Sequence, residues 1–251
     1  MENRRTFLKF ILLMTVSWLV SVTLLAFSKL KTVFPSLEAE SRLKGELTVG
    51  EKVSLPEPKL KSDVSVEEAI YRRRSIRRYS EKPLRLQDLS NLLWAAQGIT
   101  DPINKFRASP SAGATYPLEM YLVVKRGGVE ELTEGVYHYD PYTHTLERTS
   151  DIDVSEDLYY AAVSQRWVRE APVNIVIACV YERTTLRYGE RGVRYVHMEA
   201  GHAAENLYLQ AVSLGLGMVV VGAFLDDEVQ KLLGLPENFK PLYIIPVGRL
   251  K

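Results

Sequence analysis

Apolar positions along this chain follow two rhythms. Ser65-Val66-Glu67-Glu68 reads as a helix start. Ser65 can cap the amide of Glu68, whose side chain can reach back. Leu86, Leu89, Leu92, Leu93 and Ala96 then share one helical face, and Gly98 marks its end. A longer helix is expected over residues 194–214, with Ala200, Ala203, Ala204, Leu207, Ala211 and Leu214 as its apolar stripe. The four alanines would let another helix approach closely, from this chain or from a second copy. Short, β-branched apolar runs at 120–124, 173–180, 218–221 and 242–248 read as strands. Residues 135–140 and 143–149 form a predicted hairpin turned near Asp140-Pro141. Helices and strands mix without a regular βαβ rhythm, which predicts an α+β layered fold.

The first 62 residues stand apart. Asn3-Arg4-Arg5-Thr6-Phe7-Leu8-Lys9 precedes 19 uncharged residues, 10–28. As a helix that stretch would be about 28 Å long, just enough to span a hydrocarbon core. The paired arginines before an apolar segment resemble a twin-arginine export signal. A membrane anchor with basic flanks is the alternative. Either address puts the chain at the cell envelope. Both flanks are basic (Arg4, Arg5 and Lys9 before, Lys29 and Lys31 after), so placement of the domain outside the cytoplasm rests on the signal-like motif. Residues 29–62 are charged, carry Pro35, Pro56 and Pro58, and read as a linker or an arm over the domain. Residues 63–251 are the expected folded domain.

Composition narrows the chemistry. Hydrophobic content of 46% and charged content of 25% suit a globular domain. A net charge of +1 argues against a nucleic-acid partner. The single cysteine, Cys179, lies in an apolar run and reads as a core residue. His138, His144, His197 and His202 show no metal-ligand spacing, so no metal site is expected. Gly215-Leu216-Gly217 precedes a strand instead of following one, which excludes a Rossmann turn.

Positive chemistry comes from two segments. Arg73-Arg74-Ser75-Ile76-Arg77 concentrates guanidinium groups and a hydroxyl as a phosphate would require. Ser109-Pro110-Ser111-Ala112-Gly113-Ala114-Thr115-Tyr116-Pro117 is the second. With 92–98, 199–207 and 214–217, they resemble the nitroreductase-like FMN oxidoreductases, closest to the SagB-type dehydrogenase branch. The resemblance runs from about Pro56 to the C-terminus.

That resemblance implies a homodimer that binds FMN and transfers hydride through flavin N5 to or from a small organic substrate. By it, Arg73, Arg74, Ser75 and Arg77 hold the phosphate and ribityl chain. Pro110, Ser111, Ala112 and Gly113 line the flavin from the neighbouring subunit. Gly222 and Ala223 let backbone amides approach the ring, and Arg249 adds charge near the phosphate. Nitroreductases at large carry Asn and Gln where Ala114 and Tyr116 stand, which argues against nitro compounds. SagB-type azoline dehydrogenases carry a Lys-Tyr pair where Arg187-Tyr188 stands. An arginine stays protonated and is no base, leaving Tyr188 as the candidate catalytic proton donor. The electron donor is NAD(P)H or, for an exported protein, a membrane quinone. A flavin-binding or membrane-tethered module without turnover is the alternative function.

Overall fold

The computed structural model describes residues 48–251. The signal or anchor and the first part of the linker lie outside the described residues. No helix among the described residues is long and apolar enough to cross a membrane.

Nine strands and seven helices are described. The strands are β1 (Lys52–Ser54), β2 (Ile99–Asp101), β3 (Phe106–Arg107), β4 (Leu118–Val124), β5 (Gly135–Asp140), β6 (Thr145–Ser150), β7 (Val173–Cys179), β8 (Leu216–Met218) and β9 (Lys240–Arg249). The helices are α1 (Val66–Arg72), α2 (Leu86–Gln97), α3 (Ser155–Ala161), α4 (Arg166–Glu170), α5 (Glu182–Tyr188), α6 (Arg191–Ser213) and α7 (Asp226–Leu232). Seven strands form one sheet in the order β1-β6-β5-β4-β7-β9-β8, and β2-β3 form a separate ribbon. Each pairing within the large sheet is antiparallel. A parallel contact occurs as the isolated bridge of Leu84 with Val129.

The sheet separates two apolar layers, because successive side chains on a strand point to opposite faces. In β7, Val173, Ile175, Ile177 and Cys179 face the layer containing α2 and α6. Val176 and Ala178 face the layer formed by α3, α4 and α7. All seven β7 residues are buried, as their apolar run predicts for a central strand. Each buried Val or Ile there contributes roughly 1.5–3 kcal/mol by leaving water. Cys179 sits among them, and burial pushes its thiol up to about 12.

The alanine stripe of α6 settles into the same layer. Ala200, Ala203, Ala204, Leu207 and Ala211 are buried in the chain's own core with Leu89, Leu92 and Leu93 of α2. Of the two readings of that stripe, packing within one subunit is the one observed. Small residues there let α2 and the sheet come close. His202 lies on the exposed face of the helix.

Two expectations shift. The capping box at α1 is half present. Ser65 accepts the Glu68 amide at 3.1 Å, but the Glu68 carboxylate turns to Arg72 at 2.7 Å. The strand expected at 218–221 stops at Met218. Val219 would continue opposite Pro246, which has no amide hydrogen to offer the ladder. Pairing resumes only where Val221 meets Ile244.

Residues 48–62 take the arm reading. β1 pairs with β6 at the sheet edge. Beyond it, the Leu55 amide donates to His144 O at 3.1 Å. The Pro56 carbonyl accepts from the hydroxyl of Ser90, and the Lys59 amide donates to Asn91 Oδ1 at 3.3 Å. The folded unit thus begins before residue 63.

Candidate functional site

α1 ends at Arg73, whose amide closes the last turn on Ala69 O at 2.9 Å. The chain then runs without helix along the end of the sheet. The Ile76 amide donates to Met218 O at 2.8 Å. Gly217 leaves room for Ile76: a Cβ there would stand 2.6 Å from Ile76 Cγ2. This anchoring leaves the polar residues on the outside. The Arg73 guanidinium lies 5.0 Å from the Tyr208 ring, and the Ser75 hydroxyl shares a 3.0 Å hydrogen bond with Tyr208 Oη. Arg77 covers Trp167 at 5.2 Å. Arg74 folds back, donating to Tyr71 O at 3.0 Å and Arg73 O at 2.7 Å.

Tyr208 joins this segment to the broken sheet edge. The Val220 amide, left without a strand partner, donates to Tyr208 Oη at 3.1 Å. Gly222 and Ala223 follow two residues later and are exposed. The Ala223 carbonyl accepts from Gln165 Nε2 at 2.8 Å. Five arginines fall within residues 72–78. Among the described residues their ion-paired acids are Glu68 and Glu205, the latter 4.0 Å from Arg73. Positive charge is left over beside a serine hydroxyl and exposed backbone, a donor set that fits a phosphate. Arg249 is engaged elsewhere. It donates to Pro83 O at 2.8 Å and to Asp88 Oδ2 at 2.9 Å.

Asp88 is fully buried at the start of α2. Burial alone would raise its pKa, but hydrogen bonds from Arg85 and the charges of Arg85 and Arg249 bring it below the usual carboxylate value. Its carboxylate also accepts the Arg85 amide at 3.1 Å, capping the helix.

A second group of residues surrounds the loop 109–116. Ser109 is buried and donates to Ala96 O at 2.7 Å. Ser111 Oγ accepts the Tyr116 amide at 2.9 Å. Between them is one tight 3-10 turn, Ala112–Ala114. Gly113, Ala114 and Tyr116 all have left-handed backbone, at φ 61°, 53° and 45°. A non-glycine residue there costs roughly 1–2 kcal/mol, so other bonds must hold the loop.

α5 supplies three of them. Arg187 Nη1 donates to Gly113 O at 3.1 Å, Thr184 and Thr115 share a 2.7 Å hydroxyl bond, and Arg183 Nη1 donates to Tyr116 O at 3.0 Å. Arg183 in turn pairs with Glu119 at 2.5 Å, which also meets His138 Nε2 at 2.7 Å. Burial would raise the Glu119 pKa, yet His138 and Arg183 hold it below the usual range. Tyr188 stands directly on the turn: a Cβ on Gly113 would be 2.6 Å from Tyr188 Oη. Tyr188 and the Pro110–Gly113 segment, separate in sequence, are therefore neighbours. Arg187 acts on a backbone carbonyl, as a strap and not a base.

Behind the loop lie two groups that sequence reasoning missed. Arg107 places its guanidinium 4.7 Å from the Tyr116 ring and 5.3 Å from Tyr142, and donates to Gln97 Oε1 at 3.0 Å. Glu199 is only 2% exposed. Burial pushes its carboxyl up to about 7, against the lowering effects of the Ser111 hydrogen bond and the Arg107 charge. The available signal was a carboxylate set among the apolar positions Val196, Ala200 and Ala203 of α6.

α6 carries both groups of residues. Glu199 and Tyr208 are nine positions apart, so they are separated by about 14 Å along the axis and by about half a turn around it. One chain therefore presents an arginine-lined half-site and a loop-lined half-site on different faces of one helix. Among the described residues no group of three His, Cys, Asp or Glu could hold a metal.

Known proteins are similar to this chain in sequence and fold. The family model described as "Nitroreductase family" matches residues 70–249. A protein named as a nitroreductase in Methanocaldococcus jannaschii is 49% identical over 187 residues, covering 74% of this chain and 92% of its own. The microcin B17-processing protein McbC of Escherichia coli is 30% identical over 160 residues, 62% of this chain and 58% of its own. A crystal structure from Ralstonia eutropha, also named as a nitroreductase, is 28% identical with a TM-score of 0.72, covering 82% of this chain and 93% of that one. The match to the family model spans both half-sites and the helix between them, and this chain belongs to the nitroreductase family of oxidoreductases.

Proposed function

We propose that this protein is an FMN-dependent oxidoreductase of the SagB-type branch, working as a homodimer on a small organic substrate. The observation that carries the reading is the surplus of guanidinium charge at 73–77, docked against Tyr208 and the sheet end at β8. Arg73, Ser75 and Arg77 would hold the phosphate and ribityl chain, with Gly222 and Ala223 beside them. When bound, flavin supplies the hydride chemistry itself. The chain's residues bind, orient and exclude water.

Two half-sites on different faces of α6 favour a composite site. The arginine half of one subunit would face the loop half of its partner. Pro110, Ser111, Ala112 and Gly113 would then border the flavin, with Tyr188 at their back as a proton donor. Arg249 is left out, because its Nε and Nη2 turn to Pro83 and Asp88 at the start of α2. The likeness to McbC supports the branch. Export or anchoring through residues 1–28, with a quinone or NAD(P)H as the electron donor, belongs to the same proposal.

The absorbance spectrum of the purified protein tests it. Wild type is expected to be yellow, and Arg73→Ala combined with Arg77→Ala to fold without colour. Full flavin occupancy in that double variant would overturn the phosphate assignment. The commitment of Arg187 to the Gly113 carbonyl favours a second reading, a flavin-binding module without turnover. Anaerobic photoreduction followed by addition of acceptors separates the two: reoxidation at a saturable rate marks the enzyme.

A further inference from the structure

The turn between α3 and α4 is strained. Val163 and Ser164 follow each other with left-handed backbone, at φ 54° and 56°. Neither is glycine, and Val163 is β-branched, a residue type that rarely enters that region. Its side chain is exposed, so packing does not offset the strain. Such a conformation persists only where the surroundings over-determine it. Here the Val163 amide donates to Tyr160 O and the Ser164 amide to Tyr159 O, each at 3.0 Å. The turn delivers Gln165, whose Nε2 donates to Ala162 O at 2.9 Å and to Ala223 O at 2.8 Å. Two residues on, Trp167 lies under Arg77, so the turn adjoins the arginine half-site.

We infer that Gln165 is a positioning residue: it fixes the peptide plane after Ala223 and so presents the backbone amides of 222–224 to the flavin. This deepens the flavin reading above and rests on it. No described peptide bond is cis, so a carbonyl and the amide that follows it point opposite ways. With Ala223 O turned to Gln165, the Phe224 N–H points away from that side chain. Among the described residues, the amides of Gly222, Ala223 and Phe224 donate to no protein acceptor. Gly222 and Ala223 are exposed. A Cβ on Gly222 would meet nothing closer than Tyr243 at 3.8 Å. A flat ring can therefore approach this backbone.

The segment is anchored at both ends. Val221 and Ile244 exchange both backbone hydrogen bonds, at 2.8 and 3.0 Å, and the Leu225 amide donates to Ala161 O at 2.8 Å. The Phe224 side chain packs against the layer of α3, α4 and α7. Between these anchors, among the described residues, Gln165 is the one side chain that hydrogen-bonds to the segment. Without that bond the peptide between Ala223 and Phe224 is free to rotate, and its N–H no longer has a fixed direction. Exposed strain at 163–164, a side chain spanning two carbonyls and a run of unbonded amides thus converge on one short stretch of backbone.

The test uses the full chain and Gln165→Met, which keeps the side-chain length and removes the donor. FMN titration reads affinity, the visible band of the bound flavin reads contacts at its ring, and hydrogen exchange of the Leu225 amide without flavin reads order in the segment. The FMN dissociation constant should rise about fivefold, the scale of one hydrogen bond. The flavin band should shift and exchange should quicken. Faster exchange with affinity and band unchanged would make Gln165 a structural residue only and overturns the proposal. Should Gln165→Met fail to fold, Gln165→Asn replaces it, polar but one methylene shorter, with the same expectations and the same overturning result. If the wild type binds no FMN, the flavin reading fails. The exchange data still decide whether Gln165 fixes the segment, and unchanged exchange overturns that too.

Discussion

Tyr208 and Val220 are joined by a 3.1 Å hydrogen bond from a backbone amide just past the end of β8 to a helix side chain. The same hydroxyl holds Ser75 at 3.0 Å. One phenol thus ties the arginine segment to the place where β8 leaves β9.

Replacing Tyr208 by Phe should uncouple these parts. The Val220 amide loses its partner, at a cost of about 1–3 kcal/mol, and Ser75 loses its anchor. The expected outcome is a folded protein with lower urea resistance and FMN affinity reduced about tenfold or more. Unchanged affinity in a flavin titration would show that Tyr208 does not organise the phosphate side.

Asp88→Asn tests the role found for Arg249. A neutral amide could not balance the charges of Arg85 and Arg249, and breaking such a buried pair costs about 3 kcal/mol. The Asp88 pKa is lowered in the folded protein, so its contribution is present above the unfolded carboxylate pKa. It is lost as pH falls through the folded value. Urea midpoints should therefore differ strongly between wild type and variant at pH 7 and converge in acid. Flavin content should stay intact, since Arg249 is committed to structure.

Glu199 has the opposite sign. Burial raises its folded pKa to about 7 from the ordinary 4.5. The stability of its protonated form is fully present below the unfolded pKa and is lost as pH rises through 7. Glu199→Gln should gain stability over wild type at pH 8, by up to about 3 kcal/mol, and almost none at pH 4. Equal differences at both pH values would show that the carboxyl does not titrate in this range.

Gly113→Ala should be poorly tolerated. The position has φ 61°, and the new Cβ would lie 2.6 Å from Tyr188 Oη and 2.7 Å from Arg187 Nη1. Backbone strain of about 1 kcal/mol adds to displacement of both side chains. Near-ultraviolet circular dichroism should register the movement of Tyr188, and turnover should fall. An unaltered tyrosine spectrum would mean that the two do not press on each other.

Much of this architecture is readable from periodicity. The α6 stripe, the fully buried β7 and the 135–150 hairpin follow from spacing alone, because burial on one or both faces leaves a plain apolar pattern. The truncated β8 is less legible: residues 218–221 look like a strand, and only Pro246 on the neighbouring strand explains why it stops. Charge is harder still. Arg73, Arg74, Ser75 and Arg77 stand together in sequence and remain together in space, but Arg249 has no local sign of its bond to Asp88, 161 positions away. Arg183, Tyr208 and Glu199 escaped notice for the same reason, since their partners lie on other elements.

β1 has a practical consequence. It occupies the outer side of β6, where amides and carbonyls would otherwise be open to another chain. A shortened protein beginning at residue 63 would bare that rim and invite strand-to-strand association between molecules. Trimming the arm should therefore turn a well-behaved protein into one that clumps, even though no residue of either half-site has been touched.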